Sequence, residues 1–227
     1  MTRLDAKTIG WAARRKISAE TLRKLSVGAD HIQFGDRKLP SIVFNYLDAA
    51  GHIVNWKARP LNNKDYRQKP NGEQRFYNQA AVLNGPLKEV YITEGEMDAL
   101  ALVEAGIPVS SVLSVVGGAP ANKTDNPTSS KRYAYIQAAL EAGMERCKRF
   151  ILLTDSDDPG RHLRADLAQI LGAANCYWIE LPDSIKDVND LLIEFGAEKT
   201  HSYLLEAVKE FPLNGVYPVS YTHLTLP

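Results

Sequence analysis

The stretch VYITEGEMDALALVEAG, residues 90–106, decides the fold. It begins with four residues typical of a buried strand, continues through Gly95, and then becomes apolar with a helical spacing. Three carboxylates, Glu94, Glu96 and Asp98, lie within five positions at this junction. A strand followed directly by a helix is the repeating unit of parallel α/β sheets. The stretch therefore predicts an α/β domain with an acidic strand end.

The same alternation of strand and helix continues to about residue 195. Further strand-like segments are SVLSVV (111–116), RFILLT (149–154) and NCYWIEL (175–181). Four strands separated by helical patterns predict a parallel sheet with flanking helices, because parallel neighbours require crossover connections. We assign residues 87–195 to this α/β domain and predict a further helix over residues 200–211.

Residues 1–86 have a different pattern and are predicted to form a small α+β subdomain. Ser18 caps a short helix in ISAETLRKL, and SIVFNYL and HIVNWKA flank the turn DAAG in a predicted hairpin. Apolar and cationic positions alternate in the second strand, which predicts one apolar face and one face that carries Lys57 and Arg59. The boundary between the two units is placed at the turn-like segment NGPLK, residues 84–88.

Composition excludes several classes of protein. The 227 residues include 27 basic and 27 acidic side chains, so net charge predicts no partner. No run of eighteen apolar residues and no secretory signal occurs, which predicts a cytoplasmic protein without membrane contact. Cys147 and Cys176 form no C-x-x-C motif, so no zinc is expected. Residues 196–218 are expected to form a C-terminal helix and the start of a linker, and residues 219–227 resemble translated sequencing adapter.

Carboxylates follow three of the predicted strands, at the edge where open parallel sheets bind ligands. Glu94 follows the first strand, Asp155 and Asp157 follow the third, and Asp187 lies several residues beyond the fourth. Two carboxylates on one face repel each other unless a cation lies between them. Mg²⁺ prefers such oxygen ligands, and Mn²⁺ is a second candidate. The other interpretation of TDSDDPGR is an Asp-rich helix N-cap with a turn.

The three acids of the opening stretch are not equivalent. Glu94 is the strongest catalytic candidate, because Gly95 permits a tight turn and close approach of a ligand. Glu96 and Asp98 fall in the first helical turn, where the helix dipole favours carboxylates. For these two, simple helix-end electrostatics and a supporting acidic shell both remain open.

Basic and aromatic residues alternate between Lys57 and Arg75. An ordinary solvated hairpin and a surface for phosphates or single-stranded nucleic acid both explain this composition. In the same way, VVGGAP is either an ordinary loop or a phosphate-binding turn. The candidates for nucleotide or nucleic-acid contact are Lys57, Arg59, Arg67, Lys69, Arg75, Gly117, Gly118 and Arg161.

Four motifs together resemble a TOPRIM domain: VYITEGEMDAL, VVGGAP, ILLTDSDDPGR and KDVNDLL, in this order. Over roughly residues 12–210 the chain is similar to the phage replicative primase-helicases and their Twinkle-like relatives. The resemblance implies primase-type RNA polymerisation from ribonucleoside triphosphates on a single-stranded DNA template. It implies a catalytic set of Glu94, Asp155, Asp157 and Lys57, in which the three acids bind the divalent metal. Asp187 is implied as a further metal ligand, and Lys57 as a phosphate or template contact.

The chain also departs from the family it resembles. No cysteine precedes Cys147, so the zinc-binding module of primases is not expected within it. A replicative helicase domain is expected to be fused downstream in the native reading frame, beyond residue 218. Two alternative functions stay open: a catalytically weak domain that binds single-stranded DNA for a helicase, and a TOPRIM nuclease that uses water or a tyrosine.

Overall fold

The computed structural model describes residues 3–211, which form two sheets and seven α-helices. The strands are β1 (Val27–Phe34), β2 (Arg37–Leu47), β3 (Ile53–Pro60), β4 (Arg67–Gln68), β5 (Val90–Thr93), β6 (Val112–Ser114), β7 (Phe150–Leu153), β8 (Cys176–Ile179) and β9 (Val208–Glu210). The helices are α1 (Ala6–Ala13), α2 (Ala19–Lys24), α3 (Gln79–Leu83), α4 (Glu96–Glu104), α5 (Ala134–Glu141), α6 (Asp158–Leu171) and α7 (Val188–Glu206). Helix α7 contains a break at Gly196, where φ is +78°.

The N-terminal unit is an antiparallel sheet with the order β1-β2-β3-β4. The Ser18 side chain accepts a hydrogen bond from the backbone N–H of Thr21 at 3.1 Å, which confirms the predicted cap of α2. The predicted hairpin is confirmed as the antiparallel pair β2 and β3. The capping residue and the turn composition are local signals, which explains why both elements could be predicted.

The face of β3 that carries Lys57 and Arg59 also has buried apolar partners from β2. Lys57 pairs across the sheet with Phe44, and Arg59 pairs with Ile42. Phe44 and Ile42 are both fully buried. Cross-strand partners share one face of a sheet, so the Lys57 face packs inward. Alternation shows that two faces differ, but it does not show which of them is covered.

The second sheet has the order β6-β5-β7-β8-β9. Its first four strands are parallel, which confirms the predicted α/β fold with flanking helices. The fifth strand, β9, pairs antiparallel with β8. The helix predicted over residues 200–211 therefore ends early, at Glu206. Strand β9 supplies hydrogen-bond partners to the edge of β8, a tertiary effect that helical spacing does not reveal.

The two sheets share one continuous core. Tyr77 lies between them: its ring contacts Phe44 and Tyr46, and its N–H donates to the Ser114 carbonyl of β6 at 2.9 Å. The division at residue 86 stays a prediction. Within residues 3–211 no helix has the length and apolarity needed to cross a bilayer. The linker and adapter assignments for residues 212–227 lie outside the described part of the chain.

Candidate active site and nucleic-acid interface

Glu94 links the ends of two neighbouring parallel strands. Thr93 of β5 lies opposite Leu153 of β7, so the residues that follow each strand reach the same sheet edge. One Glu94 carboxylate oxygen accepts the N–H of Asp155 at 3.3 Å, and the other accepts the N–H of Ala119 at 3.3 Å. The predicted convergence of the first and third strand ends is therefore present as direct contacts.

Asp155 and Asp157 are bridged by a lysine that the sequence patterns did not single out. The Lys186 Nζ lies 3.3 Å from Asp155 Oδ2 and 3.6 Å from Asp157 Oδ2. Asp157 also caps α6, because its Oδ1 accepts the N–H of Gly160 at 3.0 Å. The two interpretations of TDSDDPGR are thus compatible: one acid pair faces a cation, and one of its members starts the helix.

Gly160 allows α6 to begin directly against Asp155. A Cβ atom added at Gly160 would lie 2.2 Å from the Asp155 carbonyl oxygen, well inside van der Waals contact. Only glycine fits this close approach of two backbone segments. The glycine of DDPGR was a visible signal for this packing.

Asp187 and Asp98, the second of which lies in α4, both bind backbone N–H groups at the start of α7. Asp187 caps that helix by accepting the N–H of Asp190 at 2.7 Å. Asp98 Oδ1 accepts the N–H of Asn189 at 3.1 Å, and the Asn189 side chain donates to the Arg15 carbonyl at 3.1 Å. Asn189 therefore connects α4, α7 and the segment that follows α1, a role that the sequence did not suggest.

Burial and mutual repulsion raise the proton affinity of these acids. The pKa of Glu94 is raised to about 7, mainly by burial and secondly by the charge of Asp155. Burial also raises the pKa of Asp155, against the opposing effect of Lys186. The pKa of Asp98 lies well above its ordinary value, because the side chain is buried and lies near Asp187 and Asp155. Ionisation of these buried, neighbouring acids is costly, and a bound cation would favour their charged forms.

The donor chemistry of this rim fits a divalent metal of the Mg²⁺ type. The ligands are carboxylate oxygens, and the Lys186 ammonium already lies where a cation is attracted to two of them. Among residues 3–211 no three His, Cys, Asp or Glu side chains form a compact, ready-made ligand cluster. Metal binding by the predicted set would therefore require displacement of Lys186 and small side-chain movements.

Glu96 is not part of this rim. Its side chain is 1% exposed, and its oxygens contact the Tyr46 hydroxyl and the Lys57 ammonium. Both partners come from the N-terminal sheet. Glu96 and Asp98 have different partners, since Glu96 binds the hairpin and Asp98 binds α7.

A basic groove of about 460 Å³ lies next to the acidic rim. Its lining residues are Arg14, Arg15, Arg59, Lys64, Tyr66, Met97, Lys186, Asp187, Asn189, Asp190 and Ile193. Within the described chain, no ion pair is formed by Arg14, Arg15, Arg59 or Lys64.

Two of these arginines stack on an aromatic ring. The Arg15 and Arg59 guanidinium groups lie 3.8 and 5.4 Å from the centre of the Trp11 ring. Burial and the charge of Arg59 lower the pKa of Arg15. Of the groove cations, only Arg59 was among the predicted contacts, although the pair Arg14 and Arg15 just before the α2 cap was a detectable signal.

Most other predicted basic contacts lie outside the groove lining. Arg67 donates to the Gln33 carbonyl, Arg75 pairs with Glu73 at 2.5 Å, and Arg161 donates to the Ser156 carbonyl at 2.5 Å. Lys69 is half-buried in the segment after β4. Arg67, Lys69 and Arg75 are not brought to the acidic rim, whereas Arg161 lines a small cavity together with Asp155. The roles of all four in binding stay predictions.

The glycine turn is held by an arginine. The carbonyls of Gly117 and Gly118 accept hydrogen bonds from Arg132 Nη2 at 3.2 and 2.7 Å. Gly118 has a φ of +62°, which favours glycine there. The next residue of the turn, Ala119, donates its N–H to the Glu94 carboxylate. The turn therefore shapes the rim, and phosphate binding by its glycines stays a prediction.

The family comparison agrees with the geometry. Residues 91–192 match the protein-family model described as Toprim-like. This part of the chain is a Toprim domain. It spans the strands β5 to β8 and contains Glu94, Asp155, Asp157 and Asp187.

Relatives of the Toprim domain and its N-terminal unit include two proteins of Arabidopsis thaliana. The chain is 29% identical over 214 residues to a chloroplastic and mitochondrial Twinkle homolog protein, and the alignment covers 90% of this chain and 28% of the relative. It is 30% identical over 210 residues to a primase homolog protein, covering 88% of this chain and 59% of the relative. The chain thus spans less than two thirds of both relatives.

The fold of the Toprim domain and its N-terminal unit recurs in a solved primase structure. The primase fragment of the bacteriophage T7 primase-helicase superimposes with a TM-score of 0.67 at 24% identity, covering 85% of this chain and 72% of that one. The similarity extends over both units, so the α+β piece and the Toprim domain occur together in that fragment as well.

Proposed function

We propose that this protein carries out primase-type RNA polymerisation on a single-stranded DNA template, as a DNA-directed nucleotidyltransferase. One observation carries the proposal: the acidic rim of the Toprim domain and the basic groove lie side by side and share Lys186. A polymerase needs both features, because it must bind polyanionic substrates and also place a divalent metal at the reacting phosphate.

Glu94, Asp155 and Asp157 would hold the metal, with Asp187 at the adjoining helix start. When bound, Mg²⁺ or Mn²⁺ would neutralise phosphate charge and lower the pKa of an attacking 3′-hydroxyl. The residues of the chain have separate tasks. Without metal the pKa of Glu94 is about 7, so a proton and a bound metal would compete for this carboxylate near neutral pH. The groove arginines bind the phosphates of the nucleotide or template, and Tyr66, which is 48% exposed, provides an aromatic surface beside them.

The relatives support the wider assignment. They are named as a primase homolog and a Twinkle homolog, and a third, the DNA helicase/primase of Enterobacteria phage T3, is 30% identical over 188 residues. We therefore propose ribonucleoside triphosphates and single-stranded DNA as ligands, and a fused replicative helicase domain as the partner in the full-length protein. We also propose a cytoplasmic location, which for a phage-encoded protein is the cytoplasm of the host cell.

The test is primer synthesis by the full chain on single-stranded templates, with labelled ribonucleotides and Mg²⁺ or Mn²⁺. We expect short RNA products that are lost in Glu94→Gln and in Asp155→Asn. Asp158→Asn is the matched control, because Asp158 belongs to the same motif but its exposed side chain pairs with Arg161.

Three other outcomes would redirect the assignment. Template binding without products, equal in all variants, would favour a single-stranded-DNA-binding domain. Metal-dependent cleavage of the template would favour a nuclease. Products that persist in Asp155→Asn would contradict the proposed metal set.

A further inference from the structure

Glu96 and Lys57 form a buried ion pair between the two units. The Lys57 Nζ lies 3.1 Å from both carboxylate oxygens of Glu96, and the two side chains are 14% and 1% exposed. The Tyr46 hydroxyl donates to Glu96 Oε1 at 2.5 Å. Glu96 therefore accepts from two residues of the N-terminal sheet, although it lies in the first turn of α4.

The pair is held by hydrogen bonds as well as by charge. A buried carboxylate without a partner is strongly destabilising, and a buried ion pair is retained when further hydrogen bonds satisfy it. Burial, and secondly the charge of Glu96, raise the pKa of Tyr46 well above its ordinary value, so its hydroxyl stays protonated and keeps donating. The ammonium of Lys57 is consequently fixed in one place.

That place is the junction of the basic groove and the glycine turn. The Lys57 Nζ lies 4.7 Å from the ring centre of Tyr66, a groove residue, and 3.5 Å from the carbonyl of Val116, which precedes Gly117. The groove cations Arg14, Arg15, Arg59 and Lys64 differ from Lys57 because no described carboxylate pairs with them.

We infer that Glu96, supported by Tyr46, is a positioning residue that holds the Lys57 ammonium as a directed hydrogen-bond donor for a single phosphate group. Because the pair is net neutral, Lys57 adds no free positive charge to the groove. This inference rests on the proposed function for the identity of the phosphate, which belongs to a nucleotide or to the template. It replaces the expectation that Lys57 acts as an ordinary phosphate-binding cation.

The first experiment measures the ion pair without any nucleic acid. The full chain is acylated with acetic anhydride, and the modification of each lysine is followed by mass spectrometry. In Glu96→Gln the Lys57 amine should react about tenfold faster, because a charge-assisted hydrogen bond is lost. Tyr46→Phe should give a smaller increase.

Two other lysines serve as internal controls. Lys24 pairs with Glu20 at 2.8 Å on the surface of α2, and Lys64 forms no ion pair within the described chain. Their rates should be unchanged in Glu96→Gln, and a rise at all three lysines would indicate general loosening. Unchanged Lys57 reactivity in a folded Glu96→Gln protein, or an equal rise at all three, would overturn the inference.

The second experiment measures the charge that Lys57 presents to nucleic acid. Binding of a single-stranded oligonucleotide is titrated over a range of salt concentrations. In Glu96→Gln the slope of log affinity against log salt should steepen by about 0.7, because the released ammonium becomes one more cation that displaces counterions. An unchanged or shallower slope contradicts the neutral pair.

The two experiments separate this inference from the proposed function. If no variant binds the oligonucleotide but Lys57 reactivity still rises, the positioning of Lys57 by Glu96 stands and the proposed function fails. If the oligonucleotide binds and neither Lys57 reactivity nor slope changes, the template binding that the proposed function requires stands and the inference fails.

Discussion

Replacing Lys186 by Met is expected to tighten divalent-metal binding. The Lys186 ammonium contacts Asp155 at 3.3 Å and Asp157 at 3.6 Å, so it competes with a metal for both carboxylates. The lysine side chain is 59% exposed, and solvent limits such contacts to about 0.2–1 kcal/mol each. Two contacts give about 0.4–2 kcal/mol, which corresponds to a roughly 2- to 30-fold lower dissociation constant.

The assay is titration of the metal-free full chain with Mn²⁺, with free Mn²⁺ followed by electron paramagnetic resonance. Lys199→Met is the matched control, because it removes the same charge from an exposed position in α7. We expect tighter binding in Lys186→Met only. Equal tightening in both variants would indicate a general charge effect, and unchanged or weaker binding in Lys186→Met would refute competition by the ammonium.

Three further predictions concern the fold, the acidic rim and the groove. Gly160→Ala should lower the free energy of unfolding by about 1–3 kcal/mol, because the new Cβ would lie 2.2 Å from the Asp155 carbonyl oxygen. Urea titration measures this, and an unchanged urea midpoint would contradict it. For Glu94 the folded pKa of about 7 lies above the ordinary 4.5, so metal-free stability should fall as pH rises from about 4.5 through 7. After allowance for solvent screening, the free energy of unfolding should fall by about 1–2 kcal/mol over this range. In urea titrations the Glu94→Gln protein should lack this part of the pH dependence. Arg59→Met should make the salt dependence of oligonucleotide binding shallower by about 0.7, whereas Arg75→Met, whose guanidinium pairs with Glu73, should leave it unchanged.

Much of the fold could be predicted because its signals are local. Strand and helix periods, the Ser18 cap and the hairpin turn each depend on a few consecutive residues. The parallel order of four strands follows from their alternation with helices. Strand β9 could not be predicted in this way, because its pairing with β8 is a contact between distant segments within a stretch that reads as helix.

The candidate site was only partly predictable. Parallel strand ends meet at one edge, so the neighbourhood of Glu94 and Asp155 followed from the pattern of strands. The basic groove did not, because Arg15 and Arg59 are brought together by the packing of Trp11 against both. Charge counts along a segment identify basic residues, but they do not show which ones are committed to protein contacts, as Arg75 is.

The stretch at residues 90–106 shows the division most clearly. The sequence by itself determined that a buried strand ends in three acids and that a helix follows. The tertiary structure decided their partners: Glu94 contacts Asp155, Glu96 contacts Lys57, and Asp98 contacts Asn189, at separations of 61, 39 and 91 residues. Local spacing sets the direction in which each side chain leaves the backbone, but the group it meets depends on which distant elements pack there.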